Sequence, residues 1–445
     1  MFAADLSPNA IRIEGIAGRN TYDLATALRI VRKMETSSGR AAVYEEIKKK
    51  NALYRLVDFA YTLAGKRAFQ PFLLWIYMFK CILSVGPFRG GDGEAVALSN
   101  FPNEEHTIER IVSLVPDAKV LRLSIWRRHA FGIGQLRALV GMICACSRVL
   151  PFLGSLTRSY SFMPAARIAS ALAFYMRFTR LFHDQPRLKA AIIASNYSPE
   201  AVGLAAAAHR FGRKVVYSNH APVPANGPVV PPVYADLAIF YGEETLQTYT
   251  RRSACTADVA FFGQPGGSQM IEWRNELRKV GIFLTCGTRV STVSRLILAI
   301  RSSHPDVQVL VRDHPVTLLR NDLSEFVVDD TNVELTIGNP LEEEIAACDM
   351  VICGNSGVAL NVLRAGRPVA YLADLDGILF DSNGFIQNGL VLHVPDWTGD
   401  TYARLKAFYD APTWLAIMQF YDASYCADVA LLEEAAARKL RHFIT

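Results

Sequence analysis

The sequence predicts an α/β fold of two facing parallel-sheet domains preceded by a helical extension, and three observations predict it. From about residue 95, short apolar runs of strand length alternate with longer segments of helical spacing, the pattern of a parallel sheet wound with helices on both faces. The rhythm is interrupted once, at Gly263-Gln264-Pro265-Gly266-Gly267-Ser268, and then restarts. The 445 residues are long for one domain and comfortable for two, with enough apolar content for two cores.

Residues 1–90 read as the helical extension, with Thr21 to Lys33 and Ala42 to Ala64 amphipathic and turn residues from Gly86 to Gly93. The first domain, 91–270, takes Ala95 to Ser99, Lys119 to Leu123, Ala190 to Ala194, Lys214 to Tyr217, Leu237 to Phe240 and Val259 to Phe262 as strands. Its helices run from Glu104 to Leu114, through a long region ending near Phe182, and from Pro199 to Phe211. The second domain, 271–445, takes Gly281 to Cys286, Val307 to Arg312, Val333 to Leu335, Met350 to Cys353 and Pro368 to Leu372 as strands. Helices at Ser291 to Ser302 and Pro340 to Ala347 lie between them, and a helical tail begins at Thr401. Both domains are therefore Rossmann-like.

Composition narrows the classes of function. Charged residues are 20% and the net charge is +5, a basic bias too small for wholesale nucleic-acid binding and compatible with anionic ligands or a membrane surface. The 8 cysteines are scattered. Cys348 and Cys353 flank or occupy an apolar run, and Cys144 and Cys146 form a lone CxC, so reduced thiols of a cytoplasmic protein are expected rather than a zinc site. Asp5, Arg12 and Glu14 break any apolar head, so no secretory signal is expected. Phe69 to Val85 and Leu136 to Leu156 are apolar but interrupted by charge, which favours core helices over membrane spans. Lys66, Arg67 and Lys80 beside aromatic residues also suit a helix in peripheral contact with the inner face of a membrane.

In wound parallel sheets, ligands sit at the carboxyl ends of the strands. Three loops of the second domain share that edge: Gly287-Thr288-Arg289, Arg312-Asp313-His314-Pro315 and Gly354-Asn355-Ser356-Gly357. Backbone N–H groups near Ser356, the guanidinium of Arg289 or Arg312, and the imidazole of His314 are the donors that hold a phosphate and stabilise it as a leaving group. Singly, each has an ordinary structural reading: Ser356 as a helix cap, His314 as a satisfied loop histidine, Arg289 as a solvated helix start. Their convergence points to a nucleotide site.

The order of these features resembles a family. A strand ending in a basic-X-His-Pro turn, an acidic helix Leu341 to Ala347, Asp349, a strand, Gly-Asn-Ser-Gly and Ala365-Gly366-Arg367-Pro368 resemble the donor half of GT-B glycosyltransferases. Among these the chain is most similar to bacterial enzymes using CMP-activated sugars, of the Kdo and sialic acid type. Residues 95 to 375 follow the layout, with Glu104-Glu105 after the first strand, Asn196-Tyr197-Ser198-Pro199-Glu200, and Phe262-Gly263-Gln264 in corresponding places. The resemblance implies a metal-independent, cofactor-free, inverting transfer from a nucleotide-sugar donor, CMP-sugar favoured, to a bacterial surface glycan or glycolipid.

Two departures qualify the donor. Many GT-B enzymes grip the ribose with a glutamate where this chain has Asn361, and the acidic-acidic-Gly motif of several sialyltransferase families has no good match. An inverting transfer needs a base for the acceptor hydroxyl. Glu104, Glu105, Glu200 and His220 are candidates, with Glu105 and His220 placed foremost. Asp374-Leu375-Asp376 has the spacing of a metal motif but reads as a solvated loop. A sugar-nucleotide 2-epimerase shares the His-Pro and Ser-Gly turns and is the alternative enzyme; a non-catalytic nucleotide or glycan binder is the alternative without chemistry.

Overall fold

The structure is a computed structural model and describes residues 21–63, 69–86, 92–125, 132–264, 267–285, 287–314, 321, 323, 332–372, 374–375 and 380–444. Four helices open it: α1 (Leu24–Glu35), α2 (Ser38–Lys50), α3 (Ala52–Leu63) and α4 (Phe69–Ser84). The expected single helix from Ala42 to Ala64 is two, broken at Asn51. Asn51 is extended, and its Oδ1 accepts from Tyr54 N at 3.1 Å, so it caps the second helix in the manner of a short polar side chain at an N-terminus.

The first sheet is built from β1 (Ala95–Ser99), β2 (Val120–Ser124), β3 (Ala190–Ile193), β4 (Lys214–Ser218), β5 (Leu237–Phe240) and β6 (Asp258–Phe261). Between them lie α5 (Pro102–Ser113), α6 (Ile133–Cys144), α7 (Cys146–Ser159), α8 (Phe162–Asp184), α9 (Pro199–Arg210) and α10 (Glu243–Arg252). The order is β2-β1-β3-β4-β5-β6, parallel throughout. Long α8 is buried along most of its length because it lies between α4, α1 and α9. The opening helices share that core: Tyr22, Leu28, Leu74 and Met78 pack in one cluster with Val96 and Phe174. Among the described residues no single helix is long and apolar enough to cross a membrane; α6 and α7 meet that test only together and are bent by 76°.

The second sheet comprises β7 (Lys279–Phe283), β8 (Gln308–Arg312), β9 (Val333–Thr336), β10 (Met350–Cys353), β11 (Val369–Tyr371) and β12 (Leu392–His393). Its helices are α11 (Val290–Ser303), α12 (Leu341–Ala347), α13 (Val358–Arg364), α14 (Thr401–Tyr409) and α15 (Trp414–Tyr421). The order β9-β8-β7-β10-β11-β12, also parallel, reverses direction between β7 and β10, so those two strands flank the switch point where a crevice opens. The last helix, α16 (Val429–Ile444), packs on β4, β5 and β6 of the first sheet, with Ala436, Leu440 and Ile444 buried there.

Arg364, at the end of α13, forms a buried ion pair with Asp422 at 2.7 Å and donates to Gln264 O at 3.2 Å. Asp422 Oδ1 also accepts from Gln264 N at 3.0 Å, so the pair ties α13 to the link between the domains. Breaking one side of such a buried pair leaves an uncompensated charge. Asp422→Ala should therefore cost about 3–5 kcal/mol, read as a fall in the urea midpoint without a change in slope.

Candidate functional site

The loops after β7 and β10 bound the second sheet's switch point, and they carry two of the three expected donor segments. After β7 the chain turns at Gly287, whose φ of +80° favours glycine. Thr288 N donates to Asn321 Oδ1 at 2.9 Å, and Arg289 N to Leu375 O at 3.0 Å. Arg289 is exposed at the start of α11, and no hydrogen bond or ion pair engages its guanidinium among the described residues. After β10, Gly354, Asn355, Ser356 and Gly357 form the second wall. Ser356 Oγ accepts from Val358 N at 3.3 Å, a local turn contact one residue ahead of the helix's Gly357 N-cap rather than the expected side-chain cap, and Asn355 Oδ1 accepts from Ser382 N at 2.8 Å. Asn361 lies half-buried on α13.

The third segment divides. Arg312 is buried in an ion pair with Glu344 and donates to Asn339 O at 2.9 Å, so its guanidinium serves the packing of α12 on the sheet. His314 is half-buried, its N–H donating to Asp313 Oδ1 at 2.7 Å; Pro315 lies outside the described residues. Asn321, which motif reading passed over, links the β7 and β8 loops: its Nδ2 donates to Thr285 O at 2.9 Å and Asp313 Oδ1 at 2.7 Å. Asp374 pairs with exposed Arg295 at 3.0 Å, and Asp376 lies outside the described residues.

Across the cleft, the first sheet reverses order between β1 and β3, and the acids gather at that edge. Glu104 is buried and accepts from Asn100 N at 2.8 Å; Asn100 Nδ2 donates to Glu200. Arg167 lies 3.8 Å from Glu200 and 3.3 Å from Glu35, which takes the hydroxyl of Tyr44. The opening helices thus brace the acids from behind. Burial, with the like charge of Glu200, pushes the Glu104 carboxyl up to about 7. Glu105, one position on, is exposed on α5. Asn100 Oδ1, Ser198 Oγ, Ser218 Oγ and Asn219 Oδ1 are buried without a hydrogen-bond partner among the described residues, an arrangement a bound hydroxyl would satisfy.

His220 follows β4 at the same edge. Its Nδ1 bonds the carbonyl of Ala194, which can only accept, so the proton sits on Nδ1 and Nε2 keeps its lone pair. Burial lowers its pKa from the ordinary value, which keeps the ring neutral near pH 7. Two residues on, Pro222 meets the donor-side turn: a Cβ on Gly357 would stand 3.1 Å from Pro222 Cδ. Asn226 extends the contact, its N donating to Ser382 O at 2.9 Å and its Nδ2 to Asp381 O at 2.7 Å. The carboxyl edges of the two sheets therefore face each other, with His220 beside the seam.

No protein-family model matches the chain, and no curated protein matches it in sequence. Among solved structures it is similar to the glycosyltransferase SnogD from Streptomyces nogalater, at 14% identity over 78% of this chain and 99% of that one, with a TM-score of 0.43. It is also similar to the UDP-GlcNAc 2-epimerase from Neisseria meningitidis bound to UDP-GlcNAc, at 10% identity, 79% and 99% coverage and a TM-score of 0.47. The Anabaena protein HepE in complex with UDP and glucose gives 13% identity, 78% and 99% coverage and 0.44. The chain itself has two six-stranded parallel sheets wound with helices, an α/β fold of two Rossmann-like halves. Values this low bear on neither substrate nor chemistry, which rest on the site.

The raised Glu104 carboxyl has a sign that can be checked. Its folded pKa lies above the ordinary 4.5, so the native state holds this proton more tightly than the unfolded chain. Relative to Glu104→Gln, wild-type stability should be undiminished below pH 4.5 and fall as pH rises to about 7. By pH 8 the difference should reach about 2–4 kcal/mol, measured by urea unfolding at pH 5 and pH 8.

Proposed function

We propose that the chain is an inverting glycosyltransferase of the GT-B type, moving a sugar from a nucleotide donor to a glycan or glycolipid acceptor. The observation that carries this reading is the seam itself: the Gly354 to Gly357 turn at one sheet's switch point approaches Pro222, two residues from a neutral, Nδ1-protonated histidine on the other sheet's carboxyl edge. A phosphate held between the β7 and β10 loops would have Arg289 as its cation and Ser356, Asn355 and His314 as polar partners, with Gly287, Thr288 and Gly357 shaping the walls. Asn361 would reach the ribose as an amide rather than an acid. The His-Pro and Gly-Asn-Ser-Gly turns favour a CMP-activated sugar of the Kdo or sialic acid kind.

In the reaction, the acceptor oxygen forms a bond to the anomeric carbon as the bond from that carbon to the donor phosphate oxygen breaks. The electron pair leaves on the phosphate, where Arg289 and the turn stabilise it, and the acceptor proton passes to His220 Nε2. The unpartnered polar atoms near Glu200 and Asn219 would hold other acceptor hydroxyls, and Glu104 or Glu105 stands as the further acid on that side. The acceptor under this reading is assembled at the inner face of a cell membrane.

A 2-epimerase is the second reading, favoured by the acids Glu104 and Glu200 sharing one carboxyl edge with His220. It would act on a UDP-sugar with no acceptor.

Calorimetric titration with CMP, UDP and GDP tests the donor side. Micromolar CMP binding, weakened by about 1–3 kcal/mol in Ser356→Ala, His314→Ala and Arg289→Ala, is the expected result; preference for UDP would favour the epimerase, and binding of none would remove the site. His220→Ala should keep nucleotide affinity within about twofold while lowering transfer by at least roughly a hundredfold, as loss of a general base does. Equal activity in that variant would rule out His220 as the base.

A further inference from the structure

The outer faces of three N-terminal helices carry more apolar surface than helices exposed to water ordinarily show. Of the 19 large hydrophobic side chains exposed among the described residues, 12 lie on α3, α4 and α6, four on each. Leu56, Phe59 and Leu63 on α3, and Leu136, Val140 and Ile143 on α6, recur every three or four residues and so form stripes along one helix face. Helix α4 is apolar on its outer as well as its inner side: Leu74 and Met78 pack inward while Phe72 and Ile76 face out. The helices adjoin in series. Gln70 Nε2 on α4 donates to Tyr61 O on α3 at 2.8 Å, and Gln135 Nε2 on α6 donates to Leu83 O and Val85 O at 3.1 and 2.9 Å.

Charge selects what covers this face. Helices α3, α4 and α6 contain three exposed cations, Arg55, Lys80 and Arg137, and one acid, half-buried Asp58, which Lys48 neutralises at 2.7 Å; the adjoining α7 adds Arg148 and Arg158 and no acid. We propose that the face docks on an anionic lipid bilayer, its stripes entering the headgroup boundary and its cations pairing with lipid phosphates. A second copy seated on the same patch would, by two-fold symmetry, bring the same set of cations to both sides of the contact without unpaired acids on these helices to balance them. The inference rests on this face alone and holds whether or not the chain transfers sugar.

The test is sedimentation of the full chain with vesicles of phosphatidylcholine alone and of phosphatidylcholine mixed with phosphatidylglycerol, at low and high salt. The chain should bind the mixed vesicles, and less at high salt. The pairs Leu136→Glu with Val140→Glu, and Lys80→Glu with Arg137→Glu, should each weaken binding roughly tenfold or more. An unchanged thermal midpoint in either pair separates lost docking from lost folding. Failure of the wild type to sediment with mixed vesicles, binding unaltered by both pairs, or a solution dimer that the Leu136→Glu pair dissociates would overturn the proposal.

Discussion

The ion pair of Arg364 with Asp422 is the constraint on which the cleft depends. Arg364 closes the helix that begins at Gly357, so anchoring one end of α13 beside the domain link sets where the other end meets Pro222. A pair buried this deeply contributes less to net stability than its Coulomb energy suggests, because both ions are desolvated. Burial lowers the guanidinium pKa, opposed by the Asp422 charge. The pair therefore acts mainly by specifying one arrangement, with Asp422 Oδ1 also taking Gln264 N and Ser424 Oγ at 3.0 and 2.6 Å.

Around that anchor, the two halves of the cleft are built differently. On the donor side a polar side chain, Asn321, ties the β7 loop to the β8 loop, while Arg312 is committed to Glu344. On the acceptor side the acids are fastened from outside the sheet, through Arg167 to Glu35 and Tyr44 on helices that precede the first strand. Arg167 is shared between Glu35 and Glu200, and burial, helped by the Glu200 charge, holds the Glu104 carboxyl high although Arg167 opposes it.

Most of the fold was legible because parallel strands buried on both faces are short apolar runs bounded by turn residues, and such runs stand out in sequence. Leu392–His393 was missed: a two-residue edge strand, half-buried, carries no pattern. The break at Asn51 was missed because the amphipathic spacing continues through it, and the bend between α6 and α7 because the apolar run does. Within the site, loops at strand ends were found from their glycines and basic residues, but their side chains' partners were not. Neighbouring Glu104 and Glu105 are indistinguishable at a helix start, where both favour the dipole; only packing decides which is buried. Arg312 reads as a ligand cation until Glu344 is found beside it, 32 positions later.

The return of α16 to the first sheet means the chain passes between the domains twice, once near Gln264 and once after Asp422. Two strands of covalent chain crossing side by side behave like the two leaves of a door hinge rather than a single tether. The buried Arg364 to Asp422 pair and the Gln264 to Asp422 bond fasten those two crossings to each other. The contact of Asn226 with Asp381 adds a third tie beside the second crossing, because Gly384, which adjoins Asn226, takes the hydroxyl of Tyr421 next to Asp422.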